Sequence, residues 1–159
     1  MNKKNFTHLD KSKSPQSVDV SNKKASLRTA SAQGIIKFNN KSFQKILNLK
    51  SKKGDIIGVA VIAGIMAAKK TSDLIPLCHN IPIDDVKIKI LTQKSSNSFK
   101  LICSVKTFAK TGVEMEALTG VTIACLTIYD MCKSLDKKAS VEEIKLLKKS
   151  GGKSGEFTT

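Results

Sequence analysis

The run from Lys110 to Lys133, KTGVEMEALTGVTIACLTIYDMCK, constrains the fold more than any other stretch of the chain. Ala117, Leu118, Val121, Ala124, Cys125, Ile128, Met131 and Cys132 recur at i, i+3 and i+4, the spacing of one helix face. Ile123 and Leu126 lie off that stripe and are apolar too, so the spacing predicts a helix buried on more than one side. Charges stand at its ends: Glu114 and Glu116 near the start, Asp130 and Lys133 near the finish. A helix of this kind is either a capped core element or a strut that carries a site.

The flanking segments supply what this helix packs on. SVDVS (17–21) and ASLRTASAQGIIKF (25–38) read as extended, with Gly34 marking a bulge. After the break at Asn39 and Asn40, Ser42 to Leu49 forms a short amphipathic helix with Phe43, Ile46 and Leu47 inward. KSKKG (50–54) is a basic loop. Asp55 stands where it can cap a second apolar helix, DIIGVAVIAGIMAAKK, whose basic end suits the helix dipole. TSDLIPLCHNIPID (71–84) reads as an ordered loop held to the core by Leu74, Ile75 and Leu77. DVKIKILTQ (85–93) alternates, with Val86, Ile88 and Ile90 on one face and Lys87 and Lys89 on the other. With FKLICSVKTF (99–108) it makes an antiparallel hairpin with one wet face. SVEEIKLLKK (140–149) is a last strand. The fold class expected is α+β, an antiparallel sheet with helices packed on one side, ferredoxin-like in character.

A chain of 159 residues holds one such domain. The expected division is a disordered basic tail at 1–16 and one domain at 17–159 with a flexible Gly/Lys-rich end. No stretch approaches the roughly 20 uninterrupted apolar residues of a membrane span. MNKKNFTHLDKSKSP has no apolar core and no Arg, unlike a secretory signal or transit peptide, so cytoplasm is the expected compartment. The net charge is +15; residues 1–24, with six Lys and two Asp, carry +4 and the remainder +11. That excess suits an anionic partner, and composition alone leaves a phosphorylated small molecule and a nucleic acid both open. No nucleic-acid recognition motif is present, and six Phe, one Tyr and no Trp give few platforms for base stacking. Cys78, Cys103, Cys125 and Cys132 form no CxxC, and with His8 and His79 they assemble no zinc site of usual spacing; reduced, buried thiols are expected.

Five constellations bear on chemistry. Thr111-Gly112-Val113-Glu114 has the form of a capping box, which accounts for Glu114 and leaves Glu116 unexplained. Asp130 and Lys133 stand i, i+3 among apolar neighbours, so the pair is expected to be partly enclosed, where a Lys of lowered pKa serves as an acid or base. Leu77-Cys78-His79 holds the one histidine outside the tail. Lys52, Lys53 and Gly54 precede a helix start, a place for phosphate. The last, Lys148 to Gly155, lacks the first Gly of a P-loop, which would fall at Leu147. Glu114 and Asp130 are 16 residues apart, about 24 Å along a straight helix, too far for one small ligand. An antiparallel copy of the helix from a twofold partner would bring the two ends together, so an oligomer with its site between chains is expected.

KKGDIIGVAVIAGIMAAKKTSDLIPLCHNIP, KTGVEMEALTGVTIACLTIYDMCK and LLKKSGGKSG closely resemble the cyclic pyranopterin monophosphate synthase family, the C protein of molybdenum-cofactor biosynthesis. The resemblance runs from about Ser17 to Gly155, with Ser72 in place of an aromatic and Asn80 in place of a proline. It implies a lyase that converts 3′,8-cyclo-7,8-dihydro-GTP to cyclic pyranopterin monophosphate and releases pyrophosphate. It also implies a hexamer, a trimer of dimers, with interface sites and neither nucleic-acid nor membrane partners. Asp130 matches the catalytic acid/base, and Lys53 and Lys133 its partners in proton transfer and phosphate stabilisation. Leu77, Cys78 and His79 match a substrate-binding loop, and Met115 and Glu116 a second binding segment beside Glu114. Lys69, Lys149, Lys153, Arg28 and Asp19 match further positions near the ligand. No cofactor is implied, though a divalent cation on the substrate phosphates is compatible with the chemistry.

Overall fold

A computed structural model describes residues 8–10, 12–48, 55–152 and 155–159. The 50–54 loop with Lys52 and Lys53, and Lys153, lie outside the described residues.

The hairpin pattern is realised as β2 (Asp85–Gln93) and β3 (Ser98–Ala109), paired antiparallel from Asp85↔Lys106 to Gln93↔Ser98. Asn97 closes the turn at φ 50°, a left-handed conformation that Asn tolerates better than most residues. β1 (Ser26–Lys37) pairs with β3 on one side and β4 (Ser140–Ser150) on the other, both antiparallel. β5 (Phe157–Thr158) adds a short edge, giving the strand order β2-β3-β1-β4-β5. Between the strands lie α1 (Asn40–Asn48), α2 (Ile56–Lys69), the single turn α3 (Thr71–Leu74) and α4 (Glu114–Cys132). A β-α-β-β-α-β order with a β2-β3-β1-β4 antiparallel sheet is the ferredoxin-like arrangement.

Alternation decides which sheet face is covered. Leu101, Cys103 and Val105 on β3 and Ala30, Ala32 and Ile36 on β1 are buried under α4, whereas Ser104, Lys106 and Lys87 face outward. A bulge does occur at Gly34, but the extra residues are on the facing strand. β4 slips register between Ser31/Ala32 and between Gln33/Ile35, with Glu143 at φ 50°. Gly34 is required for space: a Cβ there would lie 2.6 Å from Ile144 Cδ1 and 2.9 Å from Cys125 Sγ.

α2 and α4 meet backbone to backbone. A Cβ on Gly64 would come within 2.9 Å of the Gly120 carbonyl and 3.1 Å of Ala124 Cβ, and one on Gly120 within 3.3 Å of Ala68 Cβ. Gly64 therefore matches Gly120 and Ala124, and Ala68 matches Gly120, so the helices run in opposite directions. The start of α2 lies toward the end of α4, and Lys69 toward its beginning. By length and composition α4 would pass for a membrane span, a test that core helices also pass; here it is buried against β1, β3, β4 and α2.

Two expectations of loop structure are revised. Thr71–Leu74 is a helical turn, and Leu74 is 56% exposed; buried Thr71, bonded to the Ala67 and Ala68 carbonyls, anchors the segment instead. The break at Asn39 is a helix cap: its side chain accepts from the Ser42 amide at 2.9 Å, and Asp136 holds the Asn39 amide at 2.8 Å. Phe43 and Ile46 of α1 are buried as expected, Phe43 beside Phe38 and Phe99.

Candidate active site

The capping box is not formed. α4 begins at Glu114, its N-cap is Val113, and no side chain caps it. Glu114 is drawn across to β4, where Lys149 Nζ meets its Oε1 at 2.9 Å with both side chains about seven-tenths buried. A carboxylate offered a lysine ammonium in a half-buried site gains more than from one backbone amide. Gly112 makes room: a Cβ there would lie 2.0 Å from Glu114 Oε2. Asp55 likewise occupies an N-cap position without a side-chain cap bond.

This end of α4 borders a pocket of about 470 Å3. Its walls bring together Leu77, Cys78 and His79, Glu114, Met115 and Glu116, and Lys149, seven residues singled out in the sequence. The loop carrying His79 is tied to β3 by Thr107, whose hydroxyl donates to the Pro82 carbonyl, and by Asp84, which accepts from the Phe108 amide at 2.8 Å. Val18 and Val20, with His8, close the pocket from the amino-terminal side. That segment is not a strand of the sheet; it lies as a strap, pinned at two carbonyls. His79 Nε2 donates to Val18 O at 2.6 Å, and Lys110 Nζ donates to Ser21 O at 2.8 Å. Since a carbonyl only accepts, Nε2 carries the proton. Asp19 lies on the strap between Val18 and Val20, exposed, its carboxyl held below the usual range by the Ser21 amide.

Glu116 is 5% exposed. Burial pushes its carboxyl pKa up, as does the Glu114 charge; its own backbone amide and His79 pull it down. Cys78 is raised by burial and then by the Glu116 charge. The raised carboxyl has a consequence for stability. Below pH about 4.5 Glu116 is protonated in both folded and unfolded chains; as pH rises, the unfolded chain releases its proton first, and the fold loses stability. Glu116→Gln is therefore expected to raise the melting temperature at pH 7 and to leave it unchanged near pH 4, measured by thermal unfolding across that range. An equal shift at both pH values would contradict the assignment.

A second, wider cavity of about 800 Å3 adjoins the first and shares Lys23, Thr111, Gly112, Glu114 and Lys149 with it. Arg28 lines it, donating to the Ala109 carbonyl at 3.4 Å and the Lys110 carbonyl at 3.5 Å.

The other singled-out residues stand elsewhere. Asp130 and Lys133 form an ion pair at 2.5 Å at the far end of α4, with side chains 70% and 58% exposed. The expected enclosure is absent within one chain, where both side chains are exposed at the end of α4. Lys133 is also raised rather than lowered, by its hydrogen bond to Asp130 and then by that charge. Lys69 is exposed at the end of α2 and lines neither cavity. Lys53 and Lys153 lie outside the described residues. Sequence reasoning missed His8, Val18, Val20, Lys23 and Lys110 as wall residues; the one local sign was Lys110 directly before the Thr111–Glu114 motif. Among the described residues, no three His, Cys, Asp or Glu side chains are placed to hold a metal ion.

The MoaC family profile matches residues 17–152. A cyclic pyranopterin monophosphate synthase of Helicobacter pylori (strain Shi470) is 50% identical over 152 residues, covering 96% of each chain. The protein of that name from Campylobacter jejuni is 48% identical over 96% of this chain and 97% of its own. The one from Trichodesmium erythraeum is 48% identical, over 96% and 92%.

Proposed function

The chain belongs to the MoaC family, and from that membership we propose that it is a cyclic pyranopterin monophosphate synthase. It is a lyase of molybdenum-cofactor biosynthesis that converts 3′,8-cyclo-7,8-dihydro-GTP to cyclic pyranopterin monophosphate and releases pyrophosphate. The observation that supports this reading most is the convergence of Leu77-Cys78-His79 and Glu114-Met115-Glu116 on one pocket beside Lys149. A buried carboxyl, an imidazole and a half-buried ammonium there suit a polar, nitrogen-rich ring system, which needs both donors and acceptors out of water.

The reaction needs several proton transfers and an electrostatic clamp on phosphate. Asp130 acts as acid/base, with Lys133 held against it at 2.5 Å and Lys53 as second cation. The hydrogen bond to Asp130, and then its charge, raise the Lys133 pKa and keep that side chain an ammonium. When the cyclic phosphate closes, a hydroxyl oxygen bonds to phosphorus, its proton passes to the base, and the bond to the departing pyrophosphate breaks. Lysines neutralise the charge that develops on the leaving oxygens. No cofactor takes part, and a divalent cation on the substrate phosphates remains compatible with the chemistry.

One chain does not place Asp130 beside the pocket, so the complete site is formed between subunits of a homo-oligomer, a hexamer built as a trimer of dimers. Exposed apolar side chains support this: Val59, Ile62 and Met66 of α2 are 44%, 61% and 55% exposed, and Leu126 of α4 is 47% exposed. The enzyme works in the cytoplasm. Incubating the protein with the cyclic nucleotide and following pyranopterin and pyrophosphate tests the reading; absence of both products from the unaltered protein defeats it.

A further inference from the structure

Two carboxylates are buried among the described residues; Glu116 lines the pocket, and Asp136 does not. Asp136 is 6% exposed and stands three residues past Lys133, at the exit of α4. Both of its oxygens accept from backbone amides: Oδ2 from Asn39 at 2.8 Å and Oδ1 from Lys138 at 3.0 Å. Burying a carboxylate costs stability unless its oxygens are bonded, and here the bonds go to segments that meet at the helix exit.

That exit needs a hold from outside the helix. A helix end leaves its last carbonyls without intrahelical partners, and it frays. No basic residue stands in the last turn of α4, and the next glycine in the chain is Gly151, so neither usual device closes this end. Instead the chain folds back on Cys132, whose carbonyl accepts from the Leu135 amide at 2.8 Å and the Asp136 amide at 3.3 Å. Ser42 of α1 donates its hydroxyl to the Leu135 carbonyl at 2.7 Å. With the bond from the Asn39 amide to Asp136, this makes two ties between the α4 exit and the start of α1. α1 has no acidic residue in its own first turn, and Asp136 supplies the negative charge that a helix start favours.

Asp130 and Lys133 are exposed on that last turn, so the backbone of the turn decides where their charged ends stand. We propose that Asp136 is a positioning residue: its carboxylate, with the Ser42 hydroxyl, fixes the last turn of α4 and so holds the Asp130–Lys133 pair in place. Since amides occupy both of its oxygens, Asp136 exchanges no proton with substrate. This rests on the activity proposed above for the roles of Asp130 and Lys133. A misplacement of about 1 Å can cost about a hundredfold in rate, so a loosened turn should show in turnover before it shows in binding.

Asp136→Asn keeps the shape of the side chain but sets a donor where one amide needs an acceptor. In the full-length protein it is expected to lower kcat about tenfold or more with KM within about threefold, because the pocket lies at the other end of α4. Ser42→Ala should give the same split with a smaller loss, and it carries the test should Asp136→Asn not fold. In the Lys133→Ala background, Asp136→Asn should cost less than about twofold more, since it acts through that turn. Ile88→Ala, a core truncation on β2, is the control for lost stability and should leave kcat within about twofold. Hydrogen exchange reads the same turn without turnover. Amides of Tyr129–Lys133 should exchange about fivefold faster or more in Asp136→Asn, with those of Ala117–Ala124 unchanged. Normal kcat in both folded variants, full additivity with Lys133→Ala, an equal loss in Ile88→Ala or unchanged exchange in the last turn each overturns the proposal. The two proposals fail separately. Pyranopterin from the unaltered protein, with normal kcat in the variants, removes the positioning role alone. Faster exchange in the last turn, with no pyranopterin from the unaltered protein, removes the activity and leaves the hold on α4.

Discussion

Asp130→Ala is expected to lower turnover about a thousandfold, and Lys133→Ala by a comparable factor, because general acid–base groups contribute roughly 10²–10⁴ in rate. The two side chains contact each other at 2.5 Å, so removing either changes the other. Without Asp130, Lys133 loses the partner that raises its pKa. The double variant should therefore be little worse than either single one, as expected for groups acting as a unit. Stability should move by no more than about 0.5 kcal/mol, since both side chains are exposed and surface substitutions seldom exceed that. Pyrophosphate release under saturating substrate, with melting temperatures as the control, reads the outcome. Turnover within tenfold of the unaltered enzyme would remove Asp130 from the mechanism.

The second large effect is a recovery. Asp130→Ala and Glu116→Gln damage opposite ends of the same helix, about 21 Å apart along its axis. If each site takes its Glu116 end from one chain and its Asp130 end from another, equal co-assembly of the two variants leaves about a quarter of the sites with both ends intact. Activity should then rise from near zero in either variant to about a quarter of normal in the co-expressed mixture. A site contained in one chain predicts no recovery at all. Mixing the purified variants without subunit exchange serves as the baseline, and no gain after co-expression would rule out the shared site.

Much of the fold was legible because it rests on periodicity. The two-residue alternation of Val86, Ile88 and Ile90 and the three-to-four spacing through Ala117, Val121, Ala124 and Ile128 each define one inward face; the structure buries the helix face fully and packs the strand face, partly buried, against the core. The pocket was legible in part: Leu77-Cys78-His79 and Met115-Glu116 do meet. What local patterns cannot carry is competition from residues far away in sequence. Thr111 and Glu114 have the spacing of a capping box, yet Lys149, 35 positions later, takes the carboxylate. His79 meets a backbone carbonyl 61 positions earlier, so the strap gave no sign in its own composition of lying over a site. Asp130 and Lys133 look enclosed in a helix that is apolar around them, but they sit on the exposed side of its last turn while Ile128 and Cys132 take the buried side.

The thiols of this chain sort themselves by reactivity. Cys103 and Cys125 are fully buried and burial pushes each thiol up to about 12, while Cys132 is equally hidden from solvent. Cys78 alone is partly open, and it stands in the pocket wall. The native protein thus carries one built-in labelling position, at the place where a ligand would dock. A maleimide should modify a single cysteine per folded chain, and slowly, since burial and the Glu116 charge both disfavour the Cys78 thiolate. Substrate in the pocket should shield it, so the labelling rate becomes a measure of occupancy that needs no turnover.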